Sequence, residues 1–199
     1  VEQQVNDLPD IIPVPGFNSD GDYVYSFCPY FNAHHMQCYP YIYGKAARTT
    51  LGNVIANRIR MGKVANGLIE HIDKHHKDVV IVCHSNGLAL SYLAQKQCKN
   101  VVGVVSFNGA LDSGLEFRKD CWVINCYHGG DWVLNLGKLR PGHLWGNYGK
   151  KPQSGTLVSN YNLKKHFDGF NPHSTFLKHL DDIVPEVIHM IKRRIGNKK

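Results

Sequence analysis

The sequence is informative first for what it lacks. No run of apolar residues approaches the roughly 18 that a membrane-spanning helix needs, so a helical span is not expected. There is no phosphate-binding loop of the Walker type and no glycine fingerprint for a dinucleotide, which removes the nucleotide-dependent chemistries those motifs serve. No C-x-x-C pair occurs among the six cysteines, at positions 28, 38, 83, 98, 121 and 126. They are expected to be reduced thiols of an intracellular protein rather than a disulfide framework. His34, His35, His71, His75 and His76 form no recognised ligand set, so neither a metal nor another cofactor is expected. No RNA-binding motif, internal repeat or low-complexity segment is found. The opening Val1-Glu2-Gln3-Gln4 is unlike a signal peptide, and the expected location is the cytoplasm; the chain does not begin with Met.

What is present describes an ordinary folded chain. At 199 residues, 43% hydrophobic and 20% charged, it is expected to form one domain over 1–199 with a full core. Net charge is +7, and part of the excess lies in Lys192-Arg193-Arg194-Ile195-Gly196-Asn197-Lys198-Lys199. That tail reads as a solvated helix end whose cations complement the dipole. Weak attraction to an anionic surface is the alternative.

The pattern of apolar residues sets the elements. Short strands are expected at 11–17 and, interrupted by Pro40, at 37–44. From Thr50 the period becomes helical through Leu51, Val54, Ile55, Ile59, Val64, Leu68, Ile69 and Ile72, with Thr49 or Thr50 as cap and a bend near Gly62 or Gly67. Val79–Cys83, Val101–Phe107 and Cys121–Tyr127 are continuous apolar runs, the mark of strands buried on both faces. A helix is expected over Leu88–Cys98. Only 108–120 separates the last two strands, too little for a large cap domain. Thr156-Leu157-Val158 reads as a further short strand. The apolar stripe Phe176, Leu177, Leu180, Ile183, Val184, Val187, Ile188, Ile191 and Ile195 predicts a terminal helix, capped at Ser174 and kinked or restarted at Pro185. Strands alternating with helices indicate a mainly parallel sheet.

One junction carries the chemistry. The strand Val79–Cys83 runs into His84-Ser85-Asn86-Gly87 and then a helix, so Ser85 sits where a sharp turn would hold its hydroxyl clear of the backbone. A serine hydroxyl needs a base within reach and a third group to orient that base. In an open parallel sheet such groups collect beyond the carboxyl ends of the strands. Asp131, in His128-Gly129-Gly130-Asp131, follows one strand; Asp112 follows the preceding one and is its rival. Either could be a turn aspartate. His173, before the last helix, is the candidate base, with His166 and His143 as alternatives. His84 is expected to face away, packing or bonding locally.

The order Ser85, Asp131, His173 resembles that of the α/β-hydrolases, whose serine lies in a Gly-x-Ser-x-Gly elbow. The resemblance runs from the strand at Ile11 to the last helix and is to the small, capless esterases and lipases. It implies an α/β-hydrolase fold with a mostly parallel sheet flanked by helices and no large cap domain. It also implies Ser85 as nucleophile, His173 as base, Asp131 as orienting acid, and an oxyanion hole from the backbone N–H groups of Phe17 and Asn86. Two positions depart from the pattern: Cys83 stands in place of the first elbow glycine, and Pro15 in place of a histidine.

The expected function is a serine hydrolase acting on a small-molecule or lipid-like carboxylic ester or thioester. An amidase with the same residues is one alternative. A catalytically impaired binding protein that uses its basic surface is the other. Trp145, Tyr148, Phe167 and Phe170 are candidates for an acyl or aromatic pocket, and Arg140, Lys150 and Lys151 for attraction of an acidic substrate.

Overall fold

Runs of β-branched residues, too hydrophobic to leave a face in water, form the centre of a parallel sheet. The computed structural model describes residues 8–17, 21–135, 146–169 and 172–197. The strands are β1 (Asp10–Val14), β2 (Val79–His84), β3 (Val101–Phe107), β4 (Trp122–Tyr127) and β5 (Val158–Asn162). They lie side by side in chain order, and every neighbouring pair is parallel. Every residue of β1, β2 and β3 is buried, as continuous apolar runs require.

The helices are α1 (Cys28–Ala33), α2 (Thr50–Ile59), α3 (Met61–Ile72), α4 (Gly87–Gln97), α5 (Pro172–Thr175) and α6 (Leu180–Gly196). On one face of the sheet, Val64, Leu68, Ile72 and Leu88 of α3 and α4 pack with Ile12, Ile81, Val104 and Val123. On the other, Phe31 of α1 and Ile183, Val187 and Ile191 of α6 pack with Val80, Val105, Phe107 and Ile124. Gly103 leaves space on this second face, and the Trp122 indole of the adjoining strand fills it. The expected fold class, an α/β sheet between two helical layers, is therefore the one observed. Among the described residues no helix is long and apolar enough to cross a membrane.

Five local expectations need correction. The 37–44 segment runs beside β1 but forms only an isolated bridge, Ile11 with Cys38. Ile11 donates to Gln37 and accepts from Tyr39, and Pro13 accepts from Tyr41. The matching donation from residue 13 is missing because proline has no N–H, so the ladder stops after one rung. The helical stretch after Thr50 breaks at Arg60 rather than at a glycine. There the guanidinium donates to the carbonyls of Tyr43 and Gly44 and to Asn57 Oδ1, holding the chain out of helical geometry. Thr49 is the cap, its Oγ1 accepting from Gly52 N–H at 3.1 Å. Ser174 lies within α5 rather than at the start of the last helix, which begins afresh after His179 (φ −126°, ψ 25°). Pro185 is carried inside α6, whose buried stripe Ile183, Val184, Val187 and Ile188 holds the turns on either side of the missing bond. Finally, the last strand begins at Val158 rather than Thr156.

Candidate active site

The chain reverses at the end of β2 through a single residue in the left-handed region, Ser85 (φ 54°). A non-glycine residue accepts that conformation only when its surroundings hold it there. Here its N–H donates to Phe107 O (3.1 Å), and its carbonyl accepts from Leu88 N–H (3.1 Å) and Ala110 N–H (2.9 Å). The turn also needs a close backbone approach. A Cβ on Gly87 would lie 2.8 Å from the Val14 carbonyl and 2.9 Å from that of Pro15. Cys83, at the position of the other elbow glycine, is accommodated. Its thiol is buried, donates to Val105 O at 3.4 Å, and is pushed by burial up to about 12, so it stays protonated.

Ser85 is 8% exposed, and its Oγ–H faces His173 Nε2 at 3.0 Å. His173 stands on α5, and its Nδ1 donates to Asp131 Oδ2 at 2.7 Å. Asp131 is fully buried, and its other oxygen accepts from Val133 N–H at 3.1 Å. The turn that presents Asp131 is built by His128: its carbonyl accepts from Asp131 N–H, and its Nδ1 accepts from Gly130 N–H. The three side chains singled out in the sequence thus lie in one line. The rivals do not. Asp112 Oδ1 accepts from Gly114 N–H in a local turn, and His166 bonds Tyr161 Oη at 2.6 Å. His143 lies outside the described residues.

The Pro15-Gly16-Phe17 turn packs directly on the serine: a Cβ on Gly16 would lie 3.0 Å from Ser85 Cβ. The turn is held from both sides. Gly16 N–H donates to Tyr23 Oη at 2.9 Å, and the Phe17 carbonyl accepts from Asn53 Nδ2 (2.6 Å) and Asn57 Nδ2 (3.1 Å). Among the described residues, neither Phe17 N–H nor Asn86 N–H has an acceptor. Asn86 follows the serine and is the N-cap of α4, where the helix dipole favours negative charge, and Phe17 follows the Gly16 that packs on the serine.

Other expectations separate from this centre. Tyr148 is buried in the core between sheet and α4, and Phe167 stacks on His128 and His179. Trp145, Phe170 and Arg140 lie outside the described residues. Lys150 Nζ donates to Asn135 Oδ1. His71 bonds the Tyr39 carbonyl and His75 pairs with Asp10, and no group of three or more metal-ligating side chains occurs among the described residues. Sequence reasoning missed the roles of Tyr23, Asn53 and Asn57, and of Asn108, whose Nδ2 donates to the carbonyls of Pro172 and His173. Only the Asn53/Asn57 pair, two amides one helical turn apart in an apolar stretch, carried a local signal.

No protein-family model matches the chain, and no curated protein matches it in sequence. Solved structures do. A protein assigned to the alpha/beta hydrolase superfamily, from Xanthomonas campestris pv. campestris, is 13% identical, with a TM-score of 0.54 over 92% of this chain and 99% of its own. The chain has the α/β-hydrolase fold. A dienelactone hydrolase-like promiscuous phosphotriesterase from metagenomic libraries shares that fold at 12% identity, with a TM-score of 0.52 over 78% of this chain and 69% of its own. A pyrethroid hydrolase from Sphingobium faniae is 19% identical over 53% of this chain, with a TM-score of 0.42; the match spans 41% of that longer protein. Within this fold, Ser85 lies at the turn from β2 into α4, Asp131 lies beyond β4, and His173 lies on α5.

Proposed function

We propose that the protein is a serine hydrolase that cleaves a carboxylic ester or thioester, small or lipid-like, through an acyl-enzyme. The observation that carries this reading is the line from Ser85 Oγ through the His173 imidazole to the buried Asp131 carboxylate, at 3.0 and 2.7 Å. Asp131 accepts the Nδ1 proton of His173, which leaves the Nε2 lone pair turned to the serine hydroxyl. As Ser85 Oγ attacks the acyl carbon, Nε2 takes its proton, and the buried carboxylate stabilises the imidazolium. The carbonyl oxygen becomes an oxyanion between Phe17 N–H and Asn86 N–H. Each such donor is worth roughly 3–4 kcal/mol in the transition state. Nε2–H then protonates the leaving alkoxide or thiolate, the C–O or C–S bond breaks, and the acyl group stays on Ser85. Water attacks the acyl-enzyme by the same route, giving up its proton to Nε2 and releasing the acid.

The test is covalent. A fluorophosphonate probe should label Ser85, seen as a mass shift on the peptide containing it, and Ser85→Ala should lose both labelling and hydrolysis of short-chain p-nitrophenyl esters. A folded wild-type protein that takes no label would overturn the reading.

A further inference from the structure

His84 stands beside the nucleophile, yet the reaction described above makes no use of it. Its imidazole is buried and satisfied at both nitrogens. Nε2 lies 3.0 Å from the carbonyl oxygen of His173, and Nδ1 lies 2.9 Å from Tyr23 Oη. A carbonyl only accepts, so Nε2 carries the proton. In the neutral ring Nδ1 then has a lone pair, and Tyr23 must donate to it. The tyrosine oxygen in turn accepts from Gly16 N–H at 2.9 Å. Every bond direction follows from the one before. The series runs from the backbone of the turn that packs on Ser85, through Tyr23 and His84, to the backbone of the residue whose ring faces Ser85.

The His84 and His173 rings also lie against each other, with centroids 4.8 Å apart. When His173 takes the serine proton it becomes a cation. A charged neighbour at that distance would oppose the transfer, since unscreened like charges repel strongly inside a protein. Protonating His84 would also turn the Tyr23 bond around and leave the hydroxyl accepting from both Gly16 and Nδ1. Burial, together with the nearby His173, holds the His84 pKa well below the ordinary histidine value.

We propose that Tyr23 and His84 act as a single tie, of fixed hydrogen-bond direction, that sets the oxyanion turn and the His173 loop relative to each other, with His84 as a neutral positioning residue. The role rests on the serine-hydrolase reading. It explains why a tyrosine and a histidine, rather than two apolar side chains, fill the space behind the elbow.

The experiment compares the second-order rate of fluorophosphonate labelling in wild type, Tyr23→Phe, His84→Phe, the double variant and His84→Gln, each checked for folding by circular dichroism. Tyr23→Phe and His84→Phe should each slow labelling roughly 10- to 100-fold, the range that misplaced reacting groups produce. The double variant should be no slower than the worse single one, because one tie is broken in all three. His84→Gln keeps an N–H that can reach the His173 carbonyl and should recover part of the loss. A labelled wild type with both single variants at wild-type rate overturns the tie and leaves the hydrolase reading intact. Multiplying losses in the double variant also overturn it. An unlabelled wild type overturns the hydrolase reading itself. If the variants fail to fold, ¹⁵N chemical shifts of the wild-type His84 ring decide: a neutral Nε2–H form at pH 7 supports the tie, and an Nδ1–H or doubly protonated ring overturns it.

Discussion

The loops that follow β3 and β4 look alike in sequence: each leaves a buried strand, turns on glycine, and carries an aspartate a few residues on. In the structure they do opposite work. The loop after β4 buries its carboxylate completely and points it at His173. The loop after β3 leaves Asp112 half-buried and bound to its own backbone. What it contributes instead is Asn108, a buried amide in the left-handed region (φ 45°). Its Nδ2 donates to the carbonyls of Pro172 (3.1 Å) and His173 (3.0 Å). One loop thus holds His173 by its ring, the other by its main chain. The difference lies in which distant segment each loop meets, a property that strand-end position alone does not encode.

The sharpest way to break this comparison is to remove the charge that only one loop aims at His173. Asp131→Asn should lower ester hydrolysis and fluorophosphonate labelling about 10⁴-fold, because an amide can hold His173 in the wrong tautomer. Wild-type rates in a folded Asp131→Asn would show that the β4 loop has no such role.

Next comes the contact that locks the two loops together. The 3-10 turn Tyr148–Lys150 bridges them: Tyr148 and Gly149 donate to Leu111 and Gly109 on one side, and Gly149 accepts from His128 on the other. A Cβ on Gly149 would fall on the backbone of Asn108 and Gly109, which cannot rotate away. Gly149→Ala should therefore cost about 1–3 kcal/mol of stability, the range for overpacking, read from urea unfolding midpoints. An unchanged midpoint would mean that the loops tolerate separation.

Asn108→Gly separates strain from function within the β3 loop. Glycine adopts positive φ freely, and the change also removes Asn108 Oδ1, which is buried without a hydrogen-bond partner among the described residues. Stability should stay within about 1 kcal/mol of wild type, while labelling should slow roughly 10-fold as the clamp on His173 is lost. Equal labelling rates would confine the hold that matters on His173 to the β4 loop.

These contrasts also explain what was legible in the chain. The β2, β3 and β4 strands announced themselves as continuous apolar runs, and Ser85 as the end of one of them. The line of Ser85, His173 and Asp131 could be anticipated because each residue lies beyond an element end, where a parallel sheet gathers its reactive groups. The rest depends on partners far away in sequence. Arg60 ends a helix by reaching Tyr43 and Gly44. Asn53 and Asn57 read as indifferent helix residues until the Phe17 carbonyl comes against them. Tyr23 belongs to an aromatic stretch whose Phe27 and Phe31 enter the core, while its own hydroxyl meets His84. The 37–44 segment misled for a local reason. Its β propensity is real, but the missing donor is on the other strand, at Pro13.

The smallest expected effect is the control that gives the comparison its meaning. Asp112 Oδ1 accepts from Gly114 N–H at 2.8 Å, and the Asp112 carbonyl accepts from Leu115 N–H, so the residue closes its own turn. Asparagine makes the same side-chain bond and tolerates the same turn. Asp112→Asn should leave stability within about 0.5 kcal/mol, as for most substitutions that touch no buried network. Labelling should stay within about twofold of wild type, since no reacting atom loses a partner. A loss approaching that of Asp131→Asn would move the orienting acid to the β3 loop. The buried carboxylate at 131 would then be a structural acceptor for His173 alone. Run side by side under one probe, the two aspartate variants compare identical chemical changes at like positions, so any difference between them reports where each loop leads.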